Sequence, residues 1–153
     1  MADIEIRVPG ADELARKLSN PDAVRIPMAN FLKKSGYVVE AEAKRIAPVD
    51  TGRLRASIAT KVSDVEAVVS PRVDYAPYVE FGTRPHFPPL SALQPWARRH
   101  GFGPAGAFLV ARAIARRGTR ARLFMTGAAK TSLTAIHGFV NDMAQEIRAR
   151  LES

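Results

Sequence analysis

The sequence predicts an α+β domain: a small antiparallel β-sheet packed against a long helix, with a second long helix closing the chain. Three observations predict it. Between residues 27 and 46, Met28, Phe31, Leu32, Val38, Val39, Ala43 and Ile46 recur at a 3.6-residue period. Residues 53–63 and 66–73 alternate apolar and polar side chains, as a hairpin does. Near the end, Leu133, Ile136, Val140, Met143, Ile147 and Leu151 fall three or four residues apart, which is one helix face.

Taken in order, "IEIRV" (4–8) alternates Ile4, Ile6 and Val8 and reads as a short strand. Pro9-Gly10 punctuates it. "ADELARKL" (11–18) reads as a short helix with Leu14, Ala15 and Leu18 on one side, and "SNPD" (19–22) breaks it. The long helix is expected to begin at Pro27, whose missing N–H costs nothing in a first turn. Pro48 stops it and biases Ala47 away from helical backbone. In the hairpin, Leu54, Ala56 and Ile58 alternate with Arg53, Arg55 and Ser57, and Ser63-Asp64 turns between the strands. "YAPYVEFG" predicts a third short strand over 77–82. A Pro- and Gly-rich stretch follows, with one short helix near Ser91–His100. "AFLVARAIARRG" (107–118) is a short, basic amphipathic helix. No internal repeat is present.

At 153 residues, 46% hydrophobic and 25% charged, the chain has the make-up of one globular domain spanning 1–153. A basic Pro- and Gly-rich insertion is expected at about 84–122. There is no cysteine, which removes disulfides, thiol chemistry and Cys-based zinc sites. "MADIEIRVPG" has no basic stretch leading into an apolar run, so no secretory signal is expected. No apolar run reaches the roughly 20 residues of a membrane span.

The net charge is +8, and it is unevenly spread. Acids and bases balance over residues 1–80. Residues 81–141 contain no Asp or Glu, yet hold Arg84, Arg98, Arg99, Arg112, Arg116, Arg117, Arg120, Arg122 and Lys130. A block of this kind faces polyanion, an acidic partner or solvent.

"APVDTGRLRASI" (47–58) contains Asp-Thr-Gly, the tripeptide of the aspartic proteases. Their catalytic Asp sits on a tight loop between strands and shares a proton with a second carboxylate. Here a helix precedes the tripeptide, and Arg53 follows it where a small residue is required. Such a cation holds Asp50 ionised. The expected role of Asp50 is therefore structural: it bonds a backbone N–H two residues on, and Gly52 supplies the unusual φ of the turn. Other chemistry is no better supported. His86, His100 and His137 have no metal-ligand spacing, so no metal is expected. "GAAKTS" (127–132) ends like a P-loop, but Ala129 stands where a glycine is needed and no strand precedes it. No G-x-S-x-G elbow occurs. Neither a cofactor nor a catalytic residue is expected.

Two stretches together resemble a family. "APVDTGRLRASI" and "YAPYVEFGTRPHFPP" (75–89) are similar to the two signature segments of a bacteriophage tail-component family. These are small neck or tail-completion proteins of long-tailed phages and prophages, related to the minor tail protein Z group of lambda-like phages. "ARLFMTGA" (121–128) resembles the family's step into a C-terminal helix, with Leu123 where Pro is usual. The resemblance covers roughly residues 4–151. Residues 90–120 are longer and more basic than in the shortest members.

The resemblance implies a structural virion protein of the head–tail junction, assembled in the bacterial host cytoplasm. It implies completion of the tail, joining to the head, and a homo-oligomeric ring, commonly hexameric, around the DNA conduit. Other neck and tail proteins and passing duplex DNA are the implied partners, with no membrane. No catalytic residue carries over. Arg112, Arg116, Arg117, Arg120 and Arg122 are the candidates for a DNA channel or subunit contact, against the plainer reading of a solvated helix face. Phe87 is balanced between interface and core, while Tyr78 and Phe81 are expected in the core. The alternative function is a non-specific nucleic-acid-binding module, although no recognition motif is readable.

Overall fold

A computed structural model describes residues 21–103 and 105–152. The expected strand at 4–8 and helix at 11–18 lie outside the described residues. Helix α1 (Asp22–Ile46) leads into a short α2 (Arg53–Ser57) and a hairpin of β1 (Ile58–Val62) and β2 (Ala67–Pro71). Three helices follow, α3 (Ala76–Phe81), α4 (Leu90–Arg99) and α5 (Gly106–Arg117), and α6 (Phe124–Glu152) ends the chain. The architecture is α+β and mostly helical, with a two-stranded antiparallel sheet and two long helices.

Helix α1 begins a turn earlier than Pro27. Asp22 occupies its first turn and takes hydrogen bonds from Arg25 Nε (3.1 Å) and Nη2 (2.9 Å). A carboxylate there faces the positive end of the helix dipole, while Lys44 and Arg45 sit in the last turn at the negative end. Pro27 consequently lies inside the helix, where its side chain is fully buried. Glu40–Lys44 (2.6 Å) and Glu42–Arg45 (2.7 Å) brace the C-terminal half.

The expected strand at 53–63 begins as a helix, and the one expected at 77–82 is a helix throughout its first part. Residues 53–57 coil because the buried positions are Leu54 and Ile58, four apart, while Ala56 between them is exposed. Alternation in the sequence concealed an i, i+4 spacing. Ala56 N–H bonds Gly52 O (2.9 Å), and the strand starts only at Ile58. Residues 76–81 likewise bury Ala76 and Glu80, again four apart. Pro77 sits in the first turn, which it favours, rather than in a sheet, which it would interrupt. Tyr78 and Phe81 then point outward, 62% and 71% exposed, against the expectation that both fill the core.

The contacts of the described residues divide them into two compact units, one of 39–59 with 69–103 and 105–131, the other of 21–38 with 60–68 and 132–152. The first has a core of Ala43, Ala47, Leu54, Ile58, Ala76, Phe124 and Ala128, flanked by Val39, Ile46, Val69, Val73, Val79 and Met125. Alanine at four of these places lets helix backbones approach closely around the fully buried Phe124 ring. Burying that ring contributes about 1.5–3 kcal/mol. In the second unit the hairpin lies against α1 at Gly36. A Cβ there would stand 2.5 Å from Thr60 Cγ2, and Thr60 Oγ1 donates to Gly36 O at 3.2 Å. Lys34 Nζ sits 5.9 Å from the centre of the Phe139 ring. On α6, Ile136, Met143 and Ile147 are half-buried, but Leu133 and Val140 are 51% and 39% exposed. Among the described residues, the apolar stripe of the last helix is thus only partly covered.

Candidate functional site

The basic block is organised by one backbone crossing. Thr83 and Thr119 exchange two N–H···O bonds of 3.2 Å each, as an isolated antiparallel bridge. Thr119 Oγ1 adds a bond to Thr83 Oγ1 at 3.1 Å. Gly82 and Gly118, at φ 73° and 70°, precede the two threonines. A Cβ on either would strike the carbonyl oxygen of the opposite threonine, so the crossing requires glycine at both places.

This crossing gathers Arg84, Arg120 and Arg122 with His86 on one open groove of about 900 Å³. Tyr75, Tyr78, Leu93 and Trp96 supply apolar wall. Trp96 itself stacks with His100 (centroids 4.3 Å) and with Phe102 (5.5 Å). His86 Nδ1 lies 2.9 Å from Arg84 O, and the pairing fixes the ring against the loop.

The five candidate arginines therefore form two groups. Arg120 and Arg122 line the groove. Arg112, Arg116 and Arg117 lie on the outer face of α5, around a shallow depression shared with Leu109. The inner face of α5 is Gly106, Ala107 and Ala111, all buried. Phe87 is 55% exposed and meets Phe108 edgewise, with centroids 6.3 Å apart and planes at 58°. Among the described residues, Arg99 is the member of the block with a carboxylate partner; Arg84, Arg112, Arg116, Arg117, Arg120 and Arg122 form no ion pair.

That partner is Asp50. Arg99 Nε donates to Oδ1 at 3.0 Å and Nη2 donates to Oδ2, while His100 Nδ1 stands 4.0 Å from Oδ1. The Arg99 hydrogen bond holds the Asp50 carboxyl below its ordinary pKa; partial burial opposes this, and the charges of Arg99 and His100 add to it. The turn bond expected from Asp50 to its own backbone is replaced by this long-range clamp between the α1–α2 turn and the end of α4. Gly52 takes φ 81° and caps α2 without a side-chain bond. Arg99 and His100 flank Asp50, and among the described residues no second carboxylate lies beside it.

The residue that sequence reasoning missed is Glu80. It is 5% exposed and fastens the start of α6. Its Oε2 accepts from Met125 N (2.9 Å), and its Oε1 accepts from Thr126 N (2.9 Å) and Thr126 Oγ1 (2.6 Å). Burial pushes the Glu80 carboxyl up, but the bonds from Thr126, Met125 and Phe124 outweigh it and hold the pKa below the usual value. The backbone joins in: Arg122 N donates to Val79 O and Leu123 N to Glu80 O, both at 3.0 Å. Leu123 takes φ 49° there. Proline at this step would have neither that N–H nor that φ. The signal was present: Glu80 is the last acid before the acid-free block, set between Val79 and Phe81.

Residues 12–82 match the family model described as HK97-gp10-like, "Bacteriophage HK97-gp10, putative tail-component". The phage tail-component resemblance is real. The matched tail-component segment ends at Gly82, at the foot of the Thr83–Thr119 crossing. The tail-component family is structural rather than enzymatic. No curated protein and no solved structure matches the chain. Among the described residues, no group of three or more His, Cys, Asp or Glu is placed to hold a metal ion, and no helix is long and apolar enough to cross a membrane.

Proposed function

We infer that this chain is a structural virion protein of the head–tail junction, which completes the tail and joins it to the DNA-filled head as a ring around the conduit. The tail-component match supports the class. The observation that carries the finer reading is the set of exposed arginines on α5 and in the 118–123 loop that form no ion pair among the described residues. In a soluble monomer such cations repel one another, and they gain energy only when a polyanion or an acidic neighbour arrives. A duplex offers about one charge per 1.7 Å of axis, and contacts to it are independent of sequence. Exposed guanidinium groups on a helix surface let DNA pass without the grip of a base-reading site. The ring, commonly of six copies, forms in the virion after synthesis in the host cytoplasm, with other neck and tail proteins above and below it.

The test is a phage deleted for this chain and complemented in trans. Wild-type chain restores joined particles. Charge reversal at Arg116, Arg117 and Arg120 together leaves a folded chain but yields heads and tails that fail to join or to deliver DNA. Full infectivity from that variant refutes the role of the arginines. The exposed α5 cations also favour a second reading, a non-specific duplex-binding module. That reading requires the isolated chain to bind duplex with log K falling by about 0.9 per phosphate neutralised as log salt rises.

A further inference from the structure

We propose that the tip of the β1–β2 hairpin of one copy is the knob that fills the Arg84–Arg120–Arg122 groove of the next copy. The proposal rests on the ring reading above and names its subunit contact.

The knob has a composition that folding does not explain. Ser63 N donates to Glu66 O at 2.8 Å and Glu66 N donates to Ser63 Oγ at 3.2 Å, which closes a two-residue connection of Asp64 and Val65. Such connections favour glycine, asparagine or aspartate for their backbone freedom. Val65 offers no turn chemistry, and it is 85% exposed, more than any other large apolar side chain described. Asp64 and Glu66 flank it, both exposed and without an ion-pair partner among the described residues. The tip is thus one apolar side chain between two free carboxylates.

The groove is its complement. Its walls present Tyr75, Tyr78 and Trp96, its volume of about 900 Å³ admits a hairpin tip, and its rim carries three arginines with no acid among the lining residues. Val65 has aromatic surface to bury against, and Asp64 and Glu66 meet cations that have no carboxylate partner among the described residues. Planar guanidinium groups bind carboxylates through paired hydrogen bonds, which fixes the register of the contact. A rigid duplex touches cations on the exposed face of a helix, such as Arg112 and Arg116, more readily than a recess with apolar walls. A knob at one place on the surface and a socket at another make a heterologous contact, and repeating it closes a ring when the rotation allows.

The chain contains no cysteine, which makes disulfide trapping clean. One copy carries Val65→Cys and a second carries Tyr78→Cys; they are mixed under mild oxidation, and the assembly state of the untreated protein is read by native mass spectrometry. The expected result is a Val65–Tyr78 cross-link well above that of a control pair, Val65→Cys with Val140→Cys. Asp64→Lys with Glu66→Lys on the first copy lowers the yield about tenfold or more, as like charges across a contact do. Arg120→Glu with Arg122→Glu on the second copy does the same, and combining both reversals restores it. An oligomer that forms without this cross-link overturns the proposal and leaves the ring standing. Absence of both oligomer and cross-link overturns the two together. Loss of the cross-link on adding duplex DNA assigns the groove to phosphates and also overturns the proposal.

Discussion

At the scale of single residues, the most consequential side chain is Glu80. It is a carboxylate buried to satisfy two backbone N–H groups and a hydroxyl at the head of a long helix, where a helix leaves N–H donors unpaired. Its lowered pKa has a definite sign. A carboxyl that ionises more readily in the folded state contributes stability that is complete above the ordinary glutamate value of about 4.3 and is lost as pH falls through the lowered one. Glu80→Gln keeps the shape but cannot ionise. The variant should be less stable than wild type by about 1–3 kcal/mol at pH 7 and should decline less steeply in acid. Urea midpoints at pH 7 and at pH 3.5 check this; parallel losses in the two proteins would refute the assignment. Asp50 contributes with the same sign, but its solvent-exposed pair with Arg99 weakens in salt. The place of Asp50 in a bend just after the helix stop was legible from Pro48. Its partner was not, because Arg99 lies 49 residues on and no local pattern reports so distant a cation.

At the scale of elements, the long helices and the two basic ones were legible because sustained periodicity and proline punctuation act locally. The failures at 53–57 and 76–81 share a cause. In a five- or six-residue segment, two buried positions four apart are consistent with either a strand or a single helical turn, and only the tertiary core decides. The contact of the hairpin with α1 is set by Gly36, and here two opposing effects can be weighed. Alanine in a helix interior is favoured over glycine by about 1 kcal/mol. At Gly36 the new methyl meets Thr60, a β-branched side chain held by its own hydrogen bond, and Ala67 Cβ at 3.3 Å. Overpacking of this kind costs about 1–3 kcal/mol, so Gly36→Ala should be net destabilising. Gly138 has nothing within 4 Å of a new Cβ, and Gly138→Ala on α6 should raise stability by about 0.5–1 kcal/mol. Thermal melts of the two variants should move in opposite directions. Shifts of the same sign would mean that the hairpin yields at Gly36.

At the scale of the whole molecule, the sequence already showed the separation of charge, a neutral first half and an acid-free stretch beyond it. The grouping of that charge was not legible. Arg84, Arg120 and Arg122 come together because two glycines let two distant threonines meet, and neither glycine differs in sequence from an ordinary loop glycine. Exposed Tyr78, Phe81 and Phe87, and the half-covered stripe of α6, belong to the same pattern: the chain carries more apolar surface than it buries alone, in keeping with a component of a larger assembly.

The Thr83–Thr119 crossing has one further consequence, for length rather than for charge. It ties the two ends of an excursion together at its base, and none of the residues that form the core around Phe124 lies within that excursion. Shortening a loop whose ends already meet changes its closure entropy slowly, by about 0.6 kcal/mol for each factor of two. Replacing residues 85–117 with a short Gly/Ser connector, with Gly82 and the two threonines kept, should therefore leave a chain that unfolds cooperatively and retains the Glu80-capped helix, at the loss of the groove and of the Arg99 clamp. Circular dichroism and a denaturant melt would register the opposite result as collapse. On that outcome residues 84–118 are a cassette, whose size and charge can change while the core around Phe124 keeps its form.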